Sequence, residues 1–377
     1  MIHREIEQLI KNDFGKGKAI VLLGARQVGK TTLFEQLTAS DNTLFLNCDN
    51  YDDKASLEGK TSTELRNLVG DYKMVVIDEA QRTRDIGLTL KMIVDLKLPT
   101  QILATGSSSL VLSEGINEPA TGRLFEYQLF PFSLAEMAAH TSRREEQRML
   151  EQRMIFGLYP EVVTHPTDAR HILTNLTNNY LYRDLLEYRG VKKPSVLQKL
   201  VRALALQVGS EVSYNELSNL LGIDKATVES YIDLLEKCFV VFRLSSYSRN
   251  LRTEIKKSKK IYFYDNGIRN ALISNFSPLE SRSDTGQLWE NLMVSERVKH
   301  NSYSRNYAQM YFWRTHQQQE VDLIEEKDGH LAAYEFKWGK AKAKLPKIFT
   351  ENYPDVALKV VSPDNFWEFL TDTRNIG

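Results

Sequence analysis

The apolar run Ala19 to Leu23 leads into Gly24-Ala25-Arg26-Gln27-Val28-Gly29-Lys30-Thr31 and then into the helical pattern TTLFEQLT. This order restricts the fold more than any other feature of the chain. A strand that feeds a glycine-bounded loop and opens a helix turns successive backbone N–H groups toward anionic oxygens. The spacing G-x-x-x-x-G-K-[ST] adds an ammonium, Lys30, in reach of β and γ phosphates and a hydroxyl, Thr31, for Mg²⁺. The expected nucleotide contacts are Gly24, Ala25, Arg26, Gln27, Val28, Gly29, Lys30, Thr31 and Thr32. Further short apolar runs alternate with helical stretches: Thr43 to Asn47, Lys73 to Ile77, Thr100 to Ala104 and Phe125 to Leu129. That alternation predicts a parallel sheet with crossover helices.

The third run ends in Asp78-Glu79. Strand carboxyl ends face the nucleotide in such a sheet, so Asp78 is expected to hold Mg²⁺ through water and Glu79 to polarise the attacking water. The polar tip of QILATGSSS follows, where Ser107 is placed to sense a γ-phosphate. A second acid and a polar-tipped extra strand resemble the AAA+ and related additional-strand ATPases. No guanine-reading N-K-x-D is present, and the expected ligands are ATP and Mg²⁺.

The elements GARQVGKT, IDEAQ, ATGSS and TGRLFEYQLFPF together resemble the prokaryotic AAA-type ATPases whose C-terminal half is a DUF4143 domain. In that family a Gly-Arg pair, here Gly122-Arg123, precedes the last strand of the sheet. The resemblance implies an arginine finger at Arg123, acting in its own or a neighbouring subunit of a homo-oligomer. Gly157-Leu158-Tyr159-Pro160 resembles, with one residue inserted, the Gly-x-Pro element that touches adenine in some signalling ATPases. Arg183 is a candidate second sensor, with a helical ion pair as its plainer role.

Farther along, Leu217, Leu220, Leu221, Ile223, Val228, Ile232 and Leu235 take core-facing spacing around Leu221-Gly222, which predicts a helix-turn-helix. Its second helix, Asp224 to Lys237, carries a net charge of minus two and is a poor major-groove reader. Arg243 to Lys260 carries plus six, the makings of a basic wing for the DNA backbone or for an acidic partner. Beyond it, Glu320-Val-Asp322, an Asp328-Gly329 turn and LAAYEFKW predict paired strands, with Glu335 and Lys337 on one face by period two. A helical stretch upstream carries Glu290. This set resembles the PD-(D/E)XK nuclease fold. The resemblance implies a second Mg²⁺, or Mn²⁺, on Glu290, Asp322 and Glu335, with Lys337 directing water.

Composition limits the alternatives. The 377 residues carry 49 Lys+Arg and 49 Asp+Glu, which excludes a polybasic coat protein. Cys48 and Cys238 lie too far apart for a zinc motif and read as buried hydrophobes. No apolar run approaches the ~20 residues of a membrane span, and the start MIHREIEQLI lacks a signal core, so a cytoplasmic chain without membrane contact is expected.

The predicted fold class is α/β: a P-loop parallel-sheet ATPase core over residues 1–132, a helical lid or connector over 133–207, a winged helix over 208–260 and a restriction-endonuclease-like domain over 261–377. The expected function is an ATP-hydrolysing switch that controls a C-terminal domain binding or cutting nucleic acid. The alternative is an ATP-gated interaction protein whose nuclease-like domain is inactive.

Overall fold

Val75, Val76 and Ile77 in one run and Ile102, Leu103 and Ala104 in another are almost wholly buried. Strands covered by helices on both faces have that uninterrupted apolar character. The computed structural model describes residues 2–107, 120–181, 193–248, 259–315, 317, 319–339 and 346–371. The chain divides into two units, Met1–Phe130 with Lys237–Phe239, and Pro131–Glu236 with Val240–Gly377.

The first unit holds strands β1 (Ala19–Leu23), β2 (Thr43–Asn47), β3 (Met74–Asp78), β4 (Gln101–Gly106) and β5 (Leu124–Gln128). All are parallel, in the order β2-β3-β4-β1-β5. The predicted runs are met to within two residues. Helices α1 (Ile6–Lys11), α2 (Lys30–Thr38), α3 (Tyr51–Leu57), α4 (Ser62–Val69) and α5 (Ile86–Asp95) accompany them. Asn50 caps α3, and Thr61 with Glu64 forms a reciprocal capping box on α4. Leu57, Leu65 and Leu90 from these helices join Val75, Ile77 and Ile102 in one core. With β4 between β1 and β3, the carboxyl ends of three neighbouring strands lie side by side, the usual place for a ligand in such sheets.

The second unit opens with helices from Leu134–His140 through Pro194–Leu206. This segment, expected as a helical lid or connector, belongs to the second unit. Asn270 donates to the carbonyls of Met154 and Ile155, and the Leu134 amide donates to Glu296, bonds that join it to helices Asn266–Leu272 and Thr285–Tyr303. Helices Tyr214–Leu221 and Lys225–Lys237 follow, joined by Gly222 at φ 65°. Leu217, Val228, Ile232 and Leu235 are buried as the periodicity predicts; Leu220 is not, being 67% exposed because this eight-residue helix buries only the face that bears Leu217.

Strands β6 (Glu211–Val212), β7 (Val241–Ser246), β8 (Lys259–Phe263), β9 (Gln309–Arg314), β10 (Glu320–Lys327), β11 (His330–Phe336) and β12 (Leu358–Val361) form one sheet, ordered β12-β11-β10-β9-β7-β8-β6. The boundary drawn at residue 260 falls inside β8, and β7 continues into β9 by parallel pairing of Ser245 with Tyr311. The strands before and after that boundary thus belong to one sheet. Asp328 and Gly329, both at positive φ, turn the β10–β11 hairpin as predicted. Helix Thr285–Tyr303 is clamped to this sheet by Arg297, whose Nε and Nη2 each lie 2.7 Å from a Glu325 oxygen. Both side chains are buried, so loss of either would strand a charge at a cost of about 3–5 kcal/mol. Among the described residues no helix is long and apolar enough to cross a membrane.

Candidate functional site

The loop after β1 is shaped by two glycines for different reasons. A Cβ on Gly24 would sit 2.2 Å from the Leu129 carbonyl oxygen, so only glycine lets the loop leave the sheet there. Gly29, at φ 95°, turns the chain into α2 through a conformation other residues resist. Val28 is buried and Gln27 exposed, which anchors the loop on its apolar side. Lys30, only 5% exposed, donates from Nζ to the carbonyls of Gly24 at 2.9 Å and Ala25 at 2.8 Å. Thr32, expected among the contacts, is exposed on the first turn of α2.

Thr31 Oγ1 lies 3.0 Å from both carboxylate oxygens of Asp78, the last residue of β3. Thr105 Oγ1 donates to Asp78 Oδ1 at 2.5 Å and accepts from the Glu79 amide at 3.0 Å. Glu79 itself sits at φ 51°, a left-handed conformation that turns the chain at the strand tip. Its carboxylate accepts from Gln81 Nε2, which also donates to Ser107 Oγ at 2.9 Å. Lys30, Thr31, Asp78, Glu79 and Ser107 therefore converge at the carboxyl ends of β1, β3 and β4. Thr31 and Asp78 are the pair that would hold Mg²⁺, which screens phosphate charge and ties the phosphates to the strand ends.

Three participants escaped the sequence reading. Thr105 and Gln81 join the acids to the sheet tip. Arg4, buried, donates to the Val28 carbonyl at 2.8 Å and the Phe130 carbonyl at 2.6 Å, bracing the loop from below. Cys48 behaves as expected of a buried hydrophobe: burial pushes its thiol up to about 11 against a hydrogen bond with Thr83.

Arg123 is corrected as a finger in its own subunit. β5 pairs Leu124 with Ala19 and Gln128 with Leu23, so Arg123 lies beside the start of β1 and the loop at its end, about 16 Å away along the strand. There it makes an exposed ion pair, Nε to Asp95 Oδ1 at 2.7 Å. The Gly157 turn is accounted for inside the second unit. A Cβ would sit 2.1 Å from Asp265 Oδ1, and the Asp265 carboxylate accepts from the Leu158 amide at 2.7 Å. Arg183 lies outside the described residues.

A second cluster surrounds Asp322. The β9–β10 register shifts between Val321 and Ile324, a bulge that re-aims Asp322. Its Oδ2 accepts from the Phe336 amide at 2.8 Å, and Lys337 Nζ lies 2.7 Å from Glu335 Oε1, so period two held on β11. Burial, reinforced by Glu290 and Glu335, pushes the Asp322 carboxyl up to about 8. Burial lowers the hold of Lys337 on its proton, but Glu335, Asp322 and Glu290 outweigh it and raise it overall. The four predicted residues thus share one electrostatic neighbourhood.

Sequence reasoning missed what sits among them. Lys260 on β8, counted in the basic wing, is 1% exposed and pairs with Glu290 at 3.0 Å and with Glu320. Tyr262 donates to Glu290 at 2.6 Å. Burial alone would loosen the Lys260 proton, but Glu290, Glu320 and Asp322 bind it more tightly than in a free lysine. A divalent cation could be held by one or two carboxylates, with water or phosphate oxygens completing its shell. Among the described residues no three acidic, histidine or cysteine side chains are grouped as ligands of one ion, and Lys260 engages Glu290. Of the expected set Glu290, Asp322 and Glu335, Glu290 is paired with Lys260 and Glu335 with Lys337 in this arrangement.

The basic flank is likewise partly internal. Arg243 bonds Asp233 at 2.6 Å and Glu236, while Lys259 donates to Ser245 at 2.7 Å. Arg249, Arg252, Lys256 and Lys257 lie outside the described residues.

Residues 16–138 match the family described as AAA domain, 147–279 a domain of unknown function, DUF8612, and 285–366 the domain of unknown function DUF4143. An uncharacterised protein of Mycobacterium tuberculosis is 26% identical over 340 residues, 89% of this chain and 73% of that one. An uncharacterised protein of Haemophilus influenzae is 26% identical over 301 residues, 72% of this chain and 74% of that one. Among solved structures, a STAND ATPase with a tetratricopeptide repeat sensor from Pyrococcus horikoshii aligns over 81% of this chain and 48% of its own, with 12% identity and a TM-score of 0.26. Drosophila ORC bound to DNA aligns over 69% of this chain and 90% of its own, with 14% identity and a TM-score of 0.26.

Proposed function

For an AAA-type protein with a C-terminal DUF4143 domain, which this chain is, we propose Mg²⁺-dependent binding and hydrolysis of ATP at the loop Gly24–Thr31, with the nucleotide state controlling the C-terminal domain. The observation that carries this reading is the contact of Thr31 with both oxygens of Asp78 at 3.0 Å, beside a Lys30 already folded onto the loop. Lys30 neutralises β and γ phosphate charge, Thr31 and Asp78 hold the cation, Glu79 orients water, and Ser107 meets the γ-phosphate. Purified protein is expected to release phosphate from ATP with Mg²⁺ and to stop in EDTA. No phosphate release by folded protein that binds ATP would leave a nucleotide-binding switch without hydrolysis.

The Lys260 contacts favour a second reading for the C-terminal domain: it binds a partner, DNA or protein, without cutting. With Lys260 pairing Glu290 and Lys337 pairing Glu335, two of the acids already have side-chain counter-charges where a nuclease would use a cation. Plasmid incubated with the protein and Mg²⁺ or Mn²⁺, with and without ATP, is expected to stay intact. Cleavage that disappears in Asp322→Asn would restore a nuclease.

A further inference from the structure

Gln81 is the one side chain seen to join Glu79 to Ser107 among the described residues. A carboxylate oxygen only accepts, so the amide must turn its nitrogen to Glu79. The nitrogen carries two hydrogens, one for the Glu79 carboxylate and one for the Ser107 oxygen. The amide oxygen, Oε1, is buried with no hydrogen-bond partner. On the other side Thr105 receives the Glu79 amide and donates to Asp78, which accepts from Thr31. One continuous chain therefore runs Thr31, Asp78, Thr105, Glu79, Gln81, Ser107, from the cation's place to the γ-phosphate's.

Resting on the hydrolytic reading above, we propose that Gln81 is a positioning residue that couples Ser107 to the water-orienting carboxylate of Glu79. Ser107 accepts from Gln81 and so keeps its own O–H to give to a phosphate oxygen. Once that bond forms, Ser107 fixes the amide, and the amide fixes the Glu79 rotamer in line with the phosphorus. A neutral donor suits the task. A lysine or arginine would lock the carboxylate in an ion pair, and a hydrocarbon would leave it free to rotate away from water.

Gln81→Met keeps the length of the side chain and removes both N–H groups. Its kcat is expected to fall about 10- to 100-fold while the Kd for ATP stays within about threefold, because misplacing a catalytic group by about 1 Å costs rate rather than binding. Adding Ser107→Ala to Gln81→Met is expected to lower kcat no further than the slower single variant, since both break one path. Wild-type kcat in Gln81→Met, or a fall in kcat matched by an equal loss of ATP affinity, would overturn the positioning role. If Gln81→Met does not fold, Gln81→Asn, with its amide one methylene short, decides by the same two readings. Two parallel measurements separate the premises: no phosphate release by folded, ATP-binding wild type would defeat the hydrolytic reading, whereas slow Glu79→Gln beside normal Gln81→Met would defeat only the coupling.

Discussion

Lys30→Ala is expected to weaken ATP binding by about 100-fold or more, from the loss of charge-assisted bonds to phosphate worth about 3 kcal/mol. In the structure the Lys30 ammonium is already taken out of water and aimed at the loop interior by the Gly24 and Ala25 carbonyls. An entering triphosphate replaces two neutral acceptors with charged oxygens, and the lysine needs little reorganisation to meet them. Arg4, which braces the loop through Val28, faces backbone and leaves that role to Lys30. Titration calorimetry on folded Lys30→Ala would settle the matter, with thermal unfolding run alongside because the two loop carbonyls also lose their donor. An unchanged Kd in a folded variant would move phosphate recognition elsewhere.

The candidate phosphate loop was legible because its parts are contiguous. Strand, glycine loop, Lys30 and Thr31 occupy one stretch, and the physics of a helix N-terminus makes the spacing itself informative. Asp78 and Glu79 were legible for a similar reason, at the end of a run too apolar to be anything but an inner strand. Arg4 was not. It reaches Val28 across 24 residues and Phe130 across 126, and no local pattern distinguishes it from any other arginine before a helix. Gln81 stood inside a recognised segment, yet its meaning depends on β4 lying next to β3, which sets Ser107 beside it.

Lys260 shows how charge counting fails. Among Lys256, Lys257, Lys259 and Lys260 the sequence offers no reason to treat one as internal. The reason is topological: β7 pairs in parallel with β9, so the β7–β8 pair becomes part of the larger sheet and one face of β8 turns toward Glu290 and Glu320. Period two then buries Lys260 and Tyr262 together. The same periodicity set Glu335 beside Lys337, but the counter-charge of Glu290 came from β8, the strand that the boundary at 260 cut in two. Arg123 is a different case, for only its role within its own chain bears on the register. Its Gly-Arg context suggested proximity to the nucleotide, whereas parallel register sends the start of β5 to the edge opposite the loop.

Glu79→Gln is expected to bind ATP as the wild type does and to turn it over about 100- to 1,000-fold more slowly, within the range for loss of a general base or water-orienting group. The two side chains are nearly isosteric, so Gln81 and the Thr105 contact to the Glu79 amide can persist, and the fold has no reason to change. What changes is the charge facing the attacking water. Ground-state affinity rests on Lys30, Thr31, Asp78 and the loop N–H groups, none of which touches the Glu79 carboxylate in the contacts described above. A carboxylate held by a neutral amide keeps its full negative charge to polarise water; an amide in its place offers a weaker acceptor and can present N–H to the water instead. Single-turnover phosphate release with ATP bound to saturation isolates the chemical step from binding. Wild-type turnover in Glu79→Gln would assign the water to another group, and equal losses in affinity and rate would make Glu79 a support of the phosphate loop instead.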